Sequence, residues 1–302
     1  MRWTRRWPGS GWGQAFGTLP AHVVAYLTMA LCLFAEDDYE EVATKVMGAL
    51  TRFGCWDASW SVPTSSGITQ ARQRVGAAVM AEIFESVVQP VGTAETRGAW
   101  LRRRRVLAVD GFDVDLPDTP SNAAEFGYAG SGANRSAYPK ARVVALAECG
   151  THAFLACEVS GYGVGEQTLA ARLYPRLRVD ELLTADRGFY SFQAWSTAAA
   201  TGAALLWRAP TGLRLPVVAV LTDGTYTSVV MDAKIRSRRR ERILAAAHAG
   251  QPLDPQEAHL VRVVEYDVPD RAGNGTGELV VLLTTITDPA DARADEGAGD
   301  RS

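Results

Sequence analysis

Residues 181–189 read ELLTADRGF, an apolar run that closes on Asp186. Upstream, residues 106–117 read VLAVDGFDVDLP, and their first apolar block closes on Asp110 in the same way. Short apolar runs of this kind are expected to be buried central strands. A carboxylate at the end of such a strand sits at the sheet edge, where open α/β folds place their ligands. Two of them on neighbouring strands can share hard cations. Mg2+ takes oxygen ligands and keeps several waters, so two Asp side chains plus phosphate oxygens are enough scaffolding. A pair of ions about 3.5–4 Å apart suits phosphodiester cleavage. Taken singly, each Asp reads equally as a turn former at a strand end; it is the pair, within one strand order, that points to a metal site at Asp110 and Asp186. Asp113 and Asp115 alternate with Phe112 and Val114 and read as a solvated strand face.

The segments between and after the two aspartates support a sheet. RVVALAECG and HAFLACEVSG form a hairpin about Gly150. GEQTLAARLY reads as a short helix, VDELLTAD as a strand, GFYSFQAWSTAAAT as a helix and GAALLWRA as a strand. The order is strand–strand–strand–helix–strand–helix–strand, an α/β core. NAAEFGYAGSGANRSAYPKA, by contrast, reads as a glycine-rich loop.

Outside this core the character changes twice. Residues 1–18 are rich in Trp, Arg and Gly without a period and read as an irregular tail. Three helical segments follow: Ala21 to Glu36, Tyr39 to Leu50 and about Ile68 to Val88, the last with an apolar stripe of Ile68, Val75, Val79, Ile83 and Val87. They make residues 19–100 a helical N-terminal domain, and GCWDASWSVPTSSG is a loop within it. Residues 101–209 and 278–290 make the core. Residues 210–277 are a β-rich insertion, in which the basic stretch KIRSRRRERI interrupts three strands. Residues 291–302 have the composition of a disordered tail.

Composition bounds the rest. The 302 residues are 47% hydrophobic and 22% charged, so a sizeable core can be buried. The net charge is −3, so contact with nucleic acid has to come from local basic clusters. Cys32, Cys55, Cys149 and Cys157 form no Cys-x-x-Cys pair and are expected to be buried, reduced thiols rather than zinc ligands. The apolar run within Ala21–Glu36 is about 14 residues, short of the roughly 20 that cross a membrane. A cytoplasmic protein without membrane contact is expected.

The ordered blocks LAVDG, LTADRGFYS, LLWRA and AEFGYAGSGANRSAYPKARVVALAECGTHAFLACEVSGYGVGEQTLA resemble the insertion-sequence-4 group of DDE transposases. LPAHVVAYLTMALCLF, PTSSGITQARQRVG and TDPADA add to the likeness, which covers about residues 19–292. The resemblance implies an RNase H-like mixed-sheet catalytic core, preceded by a helical subdomain and interrupted by a β-rich insertion. It puts Asp110 and Asp186 on the first two catalytic carboxylates, with Mg2+, or Mn2+ in its place, as the cofactor. The implied partners are the terminal inverted repeats of an element, target DNA, and a second copy of the chain in a synaptic complex. The implied reaction is cleavage and strand transfer.

One block of the family pattern is missing. Tyr-x2-Arg-x3-Glu-x6-Lys, which carries the third carboxylate, has no counterpart, and Glu296 in its Gly-rich surroundings is not assigned to it. A frameshift or premature stop is the expected reason. Impaired catalysis, lowered stability and an uncovered apolar strand at ELVVLLTTI are the expected consequences. The alternative is a non-catalytic DNA-binding fragment, a pseudogene product or an inhibitor of the intact enzyme. Arg103 and Arg104, and Arg238 and Arg239, either contact phosphates or lie in solvated loops. Arg72 and Arg74 either face DNA or form a helix's solvent face. Arg187 belongs to the block around the second Asp. Trp207 either stacks on an extruded base or is a core residue.

Overall fold

The computed structural model describes residues 19–52, 61–268 and 277–293, which fall into two compact units, 1–87 and 88–302. The tail expected over 1–18, part of the GCWDASWSVPTSSG loop, the end of the insertion and Glu296 lie outside the described residues. No described helix is long and apolar enough to cross a membrane.

The first unit holds α1 (Ala21–Leu33), α2 (Tyr39–Arg52) and α3 (Ser65–Val87). Val23, Leu27 and Ala30 of α1 pack with Val42, Val46 and Leu50 of α2 and Ile68 of α3. The starts of α2 and α3 are capped by side chains. Asp38 accepts from the backbone N–H groups of Glu40 and Glu41 at 2.9 and 2.8 Å, and Thr64 accepts from that of Gly67 at 3.2 Å. α3 is broken at Gly76, whose φ of 75° and ψ of 169° are not helical. Only Ile68 and Ala71, before the break, are buried. The stripe read through Val75, Val79, Ile83 and Val87 is therefore not one continuous face. Cys32 is exposed, against the expectation of a buried thiol, because the buried side of α1 is the one carrying Val23, Leu27 and Ala30.

The second unit is built on one mixed sheet. Its strands are β1 (Trp100–Leu101), β2 (Arg104–Asp115), β3 (Lys140–Glu148), β4 (Phe154–Gly161), β5 (Glu181–Ala185), β6 (Ala204–Arg208), β7 (Ala219–Val220), β8 (Tyr226–Met231), β9 (Ala258–Val268) and β10 (Glu278–Thr284). The order across the sheet is β4-β3-β2-β5-β6-β10-β9-β8-β7, with β1 paired to β2. β2, β5 and β6 run parallel; every other pairing is antiparallel. Between the strands lie α4 (Pro120–Phe126), α5 (Glu166–Leu173), α6 (Phe192–Ala199) and α7 (Ser237–His248). Two of these helices replace expected irregular structure. Thr119 caps α4 by accepting from the backbone N–H of Asn122, and Pro120 stands where the first helical residue needs no donor. The basic stretch Arg236–Arg242 is the N-cap and first half of α7, which buries Ile243 and Ala247.

The two sheet faces differ. Leu107 and Val109 of β2, Leu183 of β5, Leu205 and Trp207 of β6 and Leu283 of β10 point into one core, closed by Leu169 and Leu173 of α5 and Trp195 of α6. The opposite face carries Val106, Leu182, Ala204 and Leu206, packed with Ile286 and Ala292. The chain after β10 thus turns back across this second face. Arg262, 1% exposed, anchors it by donating to the Ala292 carbonyl at 2.6 Å, while its other nitrogens reach Asp223 and Thr225. Residues 291–293, expected in the tail, belong to this cover. β10 accordingly has neighbours on both edges and packing on both faces, not the uncovered surface that was expected.

One buried ion pair ties the start of the unit to the β3–β4 hairpin. Glu148 is fully buried, pairs with Arg105 and accepts from the Gly92 N–H and the Thr151 hydroxyl. Burial opposes its ionisation, but the bonds from Thr151, Gly92 and Arg105 outweigh this and hold its carboxyl below the usual carboxylate range. Beside it, Gly150 leaves no room for a side chain, since a Cβ there would stand 2.5 Å from the Ala99 nitrogen. Glu148→Gln is expected to lower stability by about 3 kcal/mol, the usual cost of leaving one partner of a buried pair behind. A depressed native pKa gives stability that is present above the unfolded value and lost as pH falls through the native one. Thermal melts of the two proteins should therefore differ most at neutral pH and converge below about pH 4.

Candidate active site

Asp110 does not close its strand. β2 runs five residues further, to Asp115, alongside β3. What ends at Asp110 is the parallel partner. β2 and β5 are in register from Arg105 opposite Glu181 to Val109 opposite Ala185, so Asp110 and Asp186 occupy the next position on each. β6 continues the row: Ala185 is opposite Trp207, which leaves Arg208 beside Asp186.

Strand alternation then decides which way these side chains face. Leu107 and Val109, Leu183, Leu205 and Trp207 point to the α5–α6 core. Asp110 and Arg208 therefore project from the opposite face. Asp186 does too, since its φ of −74° and ψ of 164° prolong the extended strand by one step. The Arg208 guanidinium lies 3.8 Å from the Asp186 carboxylate. Asp110 is exposed and the Asp186 side chain is 63% exposed. Asp110 also accepts from the backbone N–H of Gly111 at 2.8 Å. The result is an open row of two carboxylates and a guanidinium, level with the carboxyl ends of β5 and β6 and part-way along β2. Its donor set is two oxygen ligands of the hard type. Among the described residues no group of three or more His, Cys, Asp or Glu side chains converges on a metal-sized site.

Other acidic residues nearby are otherwise engaged. Asp113 and Asp115 face the α5 side of the sheet and pair across the strands with Arg142 at 3.0 Å and Lys140 at 2.6 Å. Glu166 also belongs to that side: a Cβ at Gly111 would stand 3.0 Å from its Cδ. Neither rival aspartate shares the row of Asp110. Tyr190, close behind Asp186 in sequence, has its hydroxyl pushed up to about 12 by burial, so it is no base at neutral pH.

The basic candidates scatter. Arg187 is exposed and begins the 3-10 turn that follows Asp186. Arg103 is exposed in the tight link between β1 and β2, whereas Arg104 has a side chain only 13% exposed and faces Asp291 at 3.9 Å. Arg238 is exposed on α7; Arg239 is held by Glu257. In the first unit Arg74 is exposed, and Arg72 donates to the Tyr39 hydroxyl at 2.9 Å. Trp207 is wholly buried between Tyr174 and Trp195, each with ring centroids 5.5 Å away, and offers no face to a base. Arg208, its neighbour, escaped the sequence reading. The available signal was the charged residue that follows the apolar run in LLWRA, in the same sheet row as Asp186.

The chain is similar to known proteins. Residues 16–85 match the family described as insertion element 4 transposase, N-terminal. A putative transposase, InsZ, of Escherichia coli (strain K12) is 30% identical over 152 residues, which are 50% of this chain and 51% of that protein. The transposase InsG for insertion sequence element IS4, from the same organism, is 31% identical over 136 residues, 44% of this chain and 30% of that protein. The chain thus spans about half, or less, of the length of these curated relatives.

The burial of Trp207 separates its two readings. Trp207→Ala is expected to cost about 3–5 kcal/mol of stability through the cavity it leaves, read as a lowered melting temperature. A variant that melts like the original but loses affinity for single-stranded DNA would restore the stacking role.

Proposed function

We infer that the chain belongs to the insertion-element-4 transposase family, which its matches support, and that Asp110 and Asp186 are the metal-binding pair of a DNA phosphodiester cleavage and strand-transfer site. The observation that carries this reading is the register of β2 and β5, which brings two exposed carboxylates to neighbouring positions on one face. The strand order β4-β3-β2-β5-β6, antiparallel then parallel, with α5 and α6 as connections, supports an RNase H-like core. Strands β7 to β10 and α7 would be the insertion that the resemblance implies.

The residues fit a small divalent cation: two hard oxygen donors, open to solvent, with space for water and phosphate oxygens. Mg2+, or Mn2+ in its place, would supply charge stabilisation at phosphorus and a more acidic attacking water. The protein's own part is positional and electrostatic. Asp110 and Asp186 provide the negative charge that holds the cation, and strand pairing sets their separation. Arg208 offsets the charge of Asp186 from the side. Arg187, Arg103 and Arg238, all exposed, would reach phosphates of the element's inverted repeats or of target DNA, a contribution that weakens as salt rises. Arg72, Arg74 and Arg239 are further candidates, the first and last after exchanging their present partners for phosphate. The reaction would take place in the cytoplasm, with two copies of the chain bridging the element's ends.

Two carboxylates are one fewer than the resemblance calls for, and among the described residues none completes the set. The chain alone is therefore expected to bind DNA and metal but to cleave poorly. In gel shifts with inverted-repeat duplex, the complex should form with or without EDTA. Mn2+ binding, followed by electron paramagnetic resonance, should be lost in Asp110→Asn and in Asp186→Asn. Wild-type binding that survives both substitutions would remove the assignment, and brisk Mg2+-dependent cutting by the chain alone would remove the impairment.

A further inference from the structure

The helix between β4 and β5 begins with one residue that lies over the glycine just beyond Asp110 and one that bonds to the backbone just beyond Asp186. Gln167 donates its side-chain amide to the Gly188 carbonyl at 2.7 Å, spanning 21 residues of sequence. Gly188 is the middle of the turn Arg187–Phe189 that immediately follows Asp186. Glu166 lies over Gly111, the residue after Asp110; a Cβ there would meet its Cγ at 3.1 Å and its Cδ at 3.0 Å. α5 itself is a firm base, since Leu169, Ala170 and Leu173 are fully buried in the core. The turn it holds is anchored by the buried Phe189, whose N–H donates to the Asp186 carbonyl at 3.0 Å, and is closed by the Tyr190 N–H, which donates to the Arg187 carbonyl at 3.3 Å.

We propose that the first turn of α5 is a staple for the carboxylate pair, with Gln167 the positioning residue that fixes the Asp186 segment against the Asp110 strand. The role is positional because it is poorly suited to anything else. Gln167 is exposed, and a neutral hydrogen bond open to water adds about 1 kcal/mol or less to stability. Asp186 stands one residue past the end of β5 and lies outside the ladder with β2. Its backbone is set instead by the turn, and Gln167 bonds to the centre of that turn. Glu166 lies on the side of the sheet opposite Asp110, over Gly111 and away from the carboxylate. Glycine at 111 leaves the room that the Glu166 side chain occupies.

The staple rests on the reading of Asp110 and Asp186 as metal ligands, and the test keeps the two apart. Mn2+ binding to the full chain is measured by electron paramagnetic resonance for wild type, Asp110→Asn, Gln167→Ala and Gln167→Glu, with thermal melts and DNA gel shifts in EDTA alongside. Gln167→Glu keeps the shape but cannot donate to a carbonyl. Both Gln167 variants are expected to bind Mn2+ about tenfold more weakly, the scale seen when a residue supporting a metal ligand is lost, with melting temperature and metal-free DNA binding unchanged. Wild-type affinity in both variants, while Asp110→Asn binds none, would overturn the staple and leave the metal site standing. Absence of binding by the wild-type chain would overturn both.

Discussion

Parallel pairing of β2 with β5 is the constraint on which the unit depends. Parallel neighbours cannot be joined by a tight turn; they need a crossover of a dozen or more residues. Here the crossover is the β3–β4 hairpin followed by α5, and the return from β5 to β6 is α6. Because the three parallel strands share a direction, their carboxyl ends fall at one edge. Because β2 overruns β5, the edge is a step and not a rim. Asp110 sits in a strand whose backbone is held by β3 on its other side, whereas Asp186 is already in the turn. One carboxylate is thus placed by a ladder and the other by a loop, which is why the contacts of that loop matter.

Much of the core was readable in the sequence because apolar runs of four to six residues, separated by Gly or polar residues, leave little freedom in assigning strands. The hairpin about Gly150, the strand ending in LTA and the helix starting GEQ all lie where their patterns put them. What escaped was decided by contacts that pattern does not encode. α4 is disguised by its Asn and Ala content and its glycine-rich flank; a Thr cap and a Pro at the first position make it a helix. α7 is disguised by four arginines, although only its Ile243 and Ala247 need burial. The break at Gly76 interrupts a stripe that reads as continuous, because a single glycine can leave helical geometry at little cost.

The cover over the second sheet face was illegible for a different reason. Residues 289–293, which carry the cover beyond the apolar run, are small, polar and aperiodic, and nothing local marks them as packed. Their order comes from Arg262, a guanidinium buried in the sheet that would be costly without partners. It finds them in Asp223, Thr225 and the Ala292 carbonyl, so the burial of one charge and the docking of the segment are one event.

The candidate site was half legible. Its two aspartates stand out because each interrupts an apolar run, but their facing direction could be settled only by knowing which neighbours enter the core. Trp207 and Arg208 make the point. They are consecutive, and the sequence reading singled out the first. Period-two alternation sends Trp207 into the aromatic cluster with Tyr174 and Trp195, and Arg208 onto the face of Asp110 and Asp186. The tryptophan packs on the core face of the sheet, and the arginine lies on the face that carries the two aspartates. A shift of one residue in the pairing of β6 would exchange them, burying a charge and exposing an indole. The packing of the first face therefore also protects the arrangement of the second.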